Sequence, residues 1–175
     1  MAYFRAVPPI RLDTPFQTAD TGCPVVGSSD LSPSTKPDLL KIYKDEVISA
    51  LGPLLHSWEK LKGQGLPDLS KKSLDELEAW EAFASRFARL TDILLSKYLR
   101  FLILQKDPGF RGEIRDYLDM AEKNALVSDA DTWMKIRELR NKIAHEYTKE
   151  DLQKTLKDIL QFTPFVLSEL KGLQF

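Results

Sequence analysis

The chain has 175 residues, of which 43% are hydrophobic, and a formal net charge of −1 at pH 7. This length predicts one domain with a hydrophobic core, and the charge excludes a general attraction to nucleic acid, so any RNA contact must come from a local patch. The single cysteine, Cys23, excludes an intrachain disulfide; because the sequence also shows no apolar leader and no membrane-length segment, we expect a soluble cytoplasmic protein.

Residues 1–36 differ in composition from the rest of the chain. They hold five of the ten prolines, few charges and no helical or strand periodicity. We expect a flexible extension, or an arm that packs on a surface through Tyr3, Phe4 and Phe16. The predicted domain organisation is therefore an N-terminal extension over 1–36 and a helical bundle over 37–175.

After Pro37 the hydrophobic spacing predicts an all-α fold, an up-and-down bundle of about five helices. The expected helices cover roughly residues 38–62, 73–105, 112–124, 129–147 and 149–170. Ser73 and Glu76 have the spacing of a capping box at the start of the long second helix. Six apolar side chains along that helix predict a core stripe or a dimer seam: Phe83, Phe87, Leu90, Leu94, Tyr98 and Phe101.

Four cations flank this stripe, namely Arg86, Arg89, Lys97 and Arg100. One interpretation is an ordinary solvated face whose long stems lie on apolar surface. The other is a basic rim that follows an RNA backbone. Together with Arg137 on a later helix, these residues are the candidate RNA-binding side chains.

The segment 140–147 carries the strongest chemical signal, because Arg140, Asn141, His145 and Tyr147 lie within eight residues. Arginine supplies a permanent charge and a fork that fits phosphate oxygens, and histidine moves a proton near neutral pH. This combination predicts chemistry on a phosphodiester.

Helical geometry separates the two central side chains of this segment. Arg140 and His145 are five residues apart, so on a regular helix they diverge by about 140°. Two copies of the helix that meet across a two-fold axis would bring Arg140 of one chain near His145 of the other, which predicts a homodimer with a shared site. The apolar stripe of the same helix consists of Ile136, Leu139, Ile143 and Tyr147, with Trp133 expected at its edge.

The pattern R-N-x-x-x-H-x-Y near a helix end, in a small all-helical chain, resembles the signature of the HEPN superfamily (higher eukaryotes and prokaryotes nucleotide-binding), in particular its bacterial toxin-like members. Residues 131–139 and 83–90 are similar to the same group, and the resemblance covers roughly 38–173. It implies a dimeric helical bundle, metal-independent endoribonuclease activity, and a minimal nucleotidyltransferase as the cognate antitoxin.

The resemblance also suggests roles for the residues of the motif. His145 is expected to act as general acid or base, Arg140 to hold the phosphate, and Asn141 to orient the backbone or His145. Tyr147 is expected to accept AMP from the nucleotidyltransferase, as a control point. The sequence contains no zinc pattern and no phosphate-binding glycine loop, so we predict no cofactor and no metal.

Two alternatives stay open. In the first, the motif is structural: His145 interacts with the helix dipole, Arg140 pairs locally with Glu138 or a neighbouring residue, and Tyr147 fills the core. In the second, the chain is a non-catalytic HEPN-like subunit that binds a nucleotidyltransferase or its substrate.

Overall fold

The computed structural model describes residues 36–65, 68, 73–143 and 149–173, and these form helices without any strand. The elements are α1 (Lys36–Leu61), α2 (Leu74–Ile93), a π-helical segment (Leu94–Leu99), α3 (Arg100–Lys106), α4 (Ile114–Lys123), α5 (Ala130–Ile143) and α6 (Lys149–Gly172). The predicted all-α bundle is confirmed. None of the described helices combines the length and apolar composition needed to cross a membrane.

The predicted long second helix begins as expected. The Ser73 hydroxyl accepts a hydrogen bond from the Glu76 backbone amide at 3.3 Å, and the Glu76 carboxylate accepts one from the Ser73 amide at 3.0 Å. This is the predicted capping box, which satisfies amides that the first helical turn leaves unpaired. The sequence pattern did not predict the π-helical segment that separates α2 from α3.

The predicted stripe on this helix forms the core. Phe83, Phe87, Leu90 and Leu94 are fully buried, and Tyr98 in the π-helical segment is nearly so. Phe101 is half-buried, and its ring meets the ring of Tyr43 at a centroid distance of 5.5 Å. Since α2 packs against α1, α5 and α6, its buried stripe places the other helices around it.

Trp133 corrects one detail of the sequence prediction for α5. It was expected at the edge of the apolar stripe, but its side chain is 0% exposed, like that of Ile136. The Trp133 ring contacts Phe165 of α6 at 5.8 Å, and its indole nitrogen donates to the Glu169 carboxylate at 3.2 Å. A tryptophan can be buried completely because this acceptor satisfies its only polar group.

The start of α5 is fixed by Asp129, which directly precedes the helix. Its carboxylate accepts hydrogen bonds from the Thr132 amide at 3.0 Å and from the Thr132 hydroxyl at 2.7 Å. These bonds, the hydroxyl bond foremost, hold the pKa of Asp129 below its usual value. The folded state therefore favours the ionised carboxylate, as expected for a residue that caps a helix.

Replacing Asp129 by alanine is expected to destabilise the fold in a pH-dependent way. Because the folded-state pKa is depressed, the ionised carboxylate stabilises the fold fully above its unfolded-state pKa of about 3.9 and less as the pH falls through the folded-state value. Thermal unfolding of Asp129→Ala against wild type should show a loss at pH 7 that shrinks in acid. Glu138→Ala, an exposed change on the same helix, is the control, and a loss that does not vary with pH would contradict this role.

Candidate functional site

Arg140 and Asn141 lie in the last turn of α5, on the side that faces α2. The Arg140 Nη2 atom is 2.8 Å from Oδ1 of Asp92. The Arg140 Nη1 atom donates a hydrogen bond to Oδ1 of Asn141 at 3.0 Å. The guanidinium group is therefore bound through both of its terminal nitrogens, and it remains accessible because the Arg140 side chain is 38% exposed.

Asp92 is the residue of this site that the sequence analysis missed. It lies near the end of α2, and its Oδ1 atom also accepts a hydrogen bond from the Ser96 hydroxyl at 3.2 Å, in the π-helical segment. An isolated aspartate among cations on a helix surface carries little signal by itself. Its importance depends on the packing of α2 against α5, which spacing along one helix does not reveal.

These side chains border a small cleft between α2, the π-helical segment and α5. The lining residues are Thr91, Asp92, Leu95, Ser96, Arg137, Arg140 and Asn141. The cleft has a volume of about 90 Å³. This volume is enough for a few water molecules or for one small polar group. The two guanidinium groups against one carboxylate give the lining a positive balance.

The candidate RNA-binding residues lie in different surroundings. Arg137 lines the cleft beside Arg140. Arg86 donates a hydrogen bond to the Ser57 hydroxyl of α1, and Lys97 forms an ion pair with Glu46 of α1 at 2.7 Å. Arg137 is thus the member of the set that shares a cleft with the motif arginine.

The two remaining candidate RNA-binding residues are Arg100 and Arg89. The Arg100 guanidinium lies 5.1 Å from the centre of the Tyr117 ring, in contact with α4. Arg89 is exposed and lines a wider groove of about 610 Å³ between α1 and α2. This groove also contains Asp45, Glu46, Asp92 and Lys97, so its charge is mixed rather than basic. Asp92 borders both the groove and the cleft.

His145 and Tyr147 lie outside the described residues, between the end of α5 at Ile143 and the start of α6 at Lys149. Their predicted roles remain predictions. Within the described residues, no three His, Cys, Asp or Glu side chains are grouped so as to hold a metal ion.

Comparisons with sequence-family models, with curated proteins and with solved structures found no match to this chain. The feature of the described residues that bears on function is an accessible arginine, bound by Asp92 and Asn141, at a small cleft with a positive balance of charge.

Proposed function

We propose that the protein is a metal-independent endoribonuclease whose site is shared between two copies of the chain. The observation that carries the proposal is the Arg140 cleft, where a second guanidinium, Arg137, lines the same small space. His145 follows Arg140 by five residues and supplies the side chain best suited to proton transfer near neutral pH. The resemblance of the segment to the HEPN motif supports the same assignment.

In the proposed reaction, the ribose 2′-oxygen attacks the adjacent phosphorus and expels the 5′-oxygen of the next nucleotide. His145 either takes the proton of the 2′-hydroxyl group as general base or gives a proton to the departing 5′-oxygen as general acid, and water exchanges the other proton. Arg140 binds the non-bridging oxygens and offsets the charge that develops on them in the transition state. The need for a 2′-hydroxyl group excludes DNA as a substrate.

The structure adds a specific contact to the proposed role of Asn141. Its side-chain oxygen accepts a bond from Arg140. This bond leaves the amide nitrogen of Asn141, which carries two N–H donors, for the phosphate or for His145. We propose that Asn141 orients Arg140 through its oxygen and the reacting groups through its nitrogen.

The direction in which Arg140 points supports the proposal of a shared site. Arg140 faces α2 of its own chain through the ion pair with Asp92. A histidine five residues further along a regular helix would face about 140° away. We propose that a second copy supplies His145, which makes the homodimer the active form.

A second candidate function is supported by the same ion pair. Asp92 places a negative charge beside Arg140, which weakens the attraction of the cleft for phosphate. The wide groove next to it has mixed charge and suits a protein surface better than a polyanion. These features fit a non-catalytic subunit that binds a nucleotidyltransferase.

Replacement of the two central residues should separate these candidates. His145→Ala should lower the rate of RNA cleavage by about two to four orders of magnitude, the usual effect of losing a general acid or base. Arg140→Ala should cause a comparable loss, and Arg140→Lys should restore little because an ammonium group lacks the planar fork. Cleavage of purified RNA in the presence of EDTA measures each rate.

Lys142→Ala is the matched control, since Lys142 is an exposed cation on the same turn as Arg140. It should retain nearly full activity. Cleavage that persists in both His145→Ala and Arg140→Ala, or that stops when EDTA is added to the wild type, would contradict the mechanism. The absence of any cleavage by the wild type would favour the non-catalytic subunit.

Mixing two inactive chains tests the shared site. Arg140→Ala and His145→Ala chains, unfolded and refolded together, should form heterodimers that contain one intact Arg140–His145 pair. We expect part of the wild-type activity to return in the mixture and none in either chain refolded alone. Activity that does not return, although mixed dimers are detected by mass spectrometry, would exclude the composite site.

The resemblance further suggests that Tyr147 controls the activity. We propose that a nucleotidyltransferase partner transfers AMP from ATP to the Tyr147 hydroxyl, with release of pyrophosphate. The added phosphate would bring negative charge and bulk to the site of the RNA phosphate. Tyr147→Phe should cleave RNA like the wild type but escape neutralisation when co-expressed with the partner. Intact-mass measurement should show the AMP adduct on the wild type only; neutralisation without an adduct would contradict this route.

A further inference from the structure

We propose that Asp92 is a positioning residue for the reaction, which holds the Arg140 guanidinium in the orientation that receives the phosphate. This inference rests on the proposed function, because it assigns a role within the same cleft. Asp92 does not contact the substrate in this scheme and acts through Arg140. The sequence motif around Arg140 contains no counterpart of this residue, since Asp92 belongs to α2.

Two side chains, Asp92 and Asn141, hold the Arg140 guanidinium group. An arginine side chain carries five N–H donors in a planar fork. The ion pair places Nη2 2.8 Å from the Asp92 carboxylate, and Nη1 donates a hydrogen bond to Asn141. Among the described residues, each terminal nitrogen thus has one partner, and the two partners restrict the plane of the group. A guanidinium held in this way still has N–H donors to offer to phosphate oxygens.

Asp92 is itself held in place by its neighbours on the helix. The residue before it, Thr91, is fully buried, and its hydroxyl donates to the Phe87 carbonyl oxygen at 2.9 Å. On the other side, Ser96 donates to the same Asp92 oxygen that contacts Arg140. The carboxylate thus stands on a helix anchored in the core, and a hydroxyl group restrains its rotation.

The ion pair between Asp92 and Arg140 contributes orientation more than stability. The Asp92 and Arg140 side chains are 43% and 38% exposed, so water weakens the pair and its contribution to stability is small. Such a surface pair adds little to the stability of the fold. It does restrict the orientation of the guanidinium group, which would otherwise vary on its flexible stem. Preorganised donors are what a phosphoryl transition state requires, because a donor that must be reoriented during the reaction stabilises it less.

Asp92→Asn is the test variant, because it removes the charge and keeps the shape. We expect kcat for RNA cleavage to fall by about a hundredfold, the order expected when a transition-state contact is misplaced, while the thermal midpoint changes little. The pH dependence that is due to His145 should keep its position. Asp45→Asn is the matched control, since Asp45 is an exposed carboxylate of the neighbouring groove, and it should behave as wild type.

A double-mutant cycle distinguishes positioning of Arg140 from any other role of Asp92. If Asp92 acts only through Arg140, Asp92→Asn should have no further effect on kcat in an Arg140→Ala background. A further loss of similar size in that background would overturn the proposal. Cleavage by Asp92→Asn that equals or exceeds that of the wild type would overturn it as well, because the carboxylate would then be neutral or would compete with the phosphate.

An independent measurement keeps the proposal testable if the wild type cleaves no RNA. The side-chain Nε–H signal of Arg140 can be followed by NMR, with inorganic phosphate as the probe. In the wild type the signal should show that the Nε–H group is restricted in its motion, and its chemical shift should change when phosphate is added. In Asp92→Asn the order should be lost, with Asp45→Asn unchanged. An equally ordered Arg140 signal in Asp92→Asn would overturn the positioning role, whereas absent cleavage by the wild type would count against the proposed function alone.

Discussion

Burial of the aromatic stripe of α2 is the constraint on which the rest of the structure depends. Phe83 and Phe87 are fully removed from water, and burial of a phenylalanine side chain contributes about 1.5–3 kcal/mol. The stripe fixes α2 against α1 on one side and against α5 and α6 on the other. The polar residues of α2 that do not enter the core are thereby directed at defined neighbours.

The Arg140 cleft is a consequence of this packing. With Leu90 and Leu94 in the core, Asp92 lies on the flank of α2 that faces the end of α5. The burial of Trp133 and its bond to Glu169 fix α5 from the other end. The packed core thus holds two half-exposed charged side chains, Asp92 of α2 and Arg140 of α5, against each other between the two helices. A scaffold of this kind is what a preorganised phosphate site needs.

Local sequence rules predicted much of the fold. The Ser73–Glu76 capping box formed as its spacing indicated, and the stripe from Phe83 to Tyr98 became core. Both features depend on residues within a few helical turns. The π-helical segment was not predictable in this way, because insertion of a residue into a helix reflects tertiary packing more than propensity. The full burial of Trp133 was missed because it requires an acceptor on α6.

The residues of the candidate site also differ in whether local sequence patterns predicted them. Arg140 and Asn141 were recognised from their spacing in the motif, and the structure adds the direct bond between them. Asp92 was not recognised, because its partner lies 48 positions further along the chain (140 minus 92). The cations of the predicted long second helix also show the limit of a helical projection. The projection groups Arg86, Lys97 and Arg100 on one stripe, whereas their contacts involve Ser57, Glu46 and Tyr117.

We propose that the cleft serves RNA cleavage in which the ribose 2′-hydroxyl group attacks the neighbouring phosphate. The most direct measurement is the chemistry of the product ends after incubation of purified protein with RNA in EDTA, read by mass spectrometry. The account predicts fragments that end in a 2′,3′-cyclic phosphate and begin with a 5′-hydroxyl group, and no cleavage where a single 2′-deoxynucleotide precedes the scissile phosphate. Fragments with a 3′-hydroxyl and a 5′-phosphate, or cleavage after the 2′-deoxynucleotide, would contradict it.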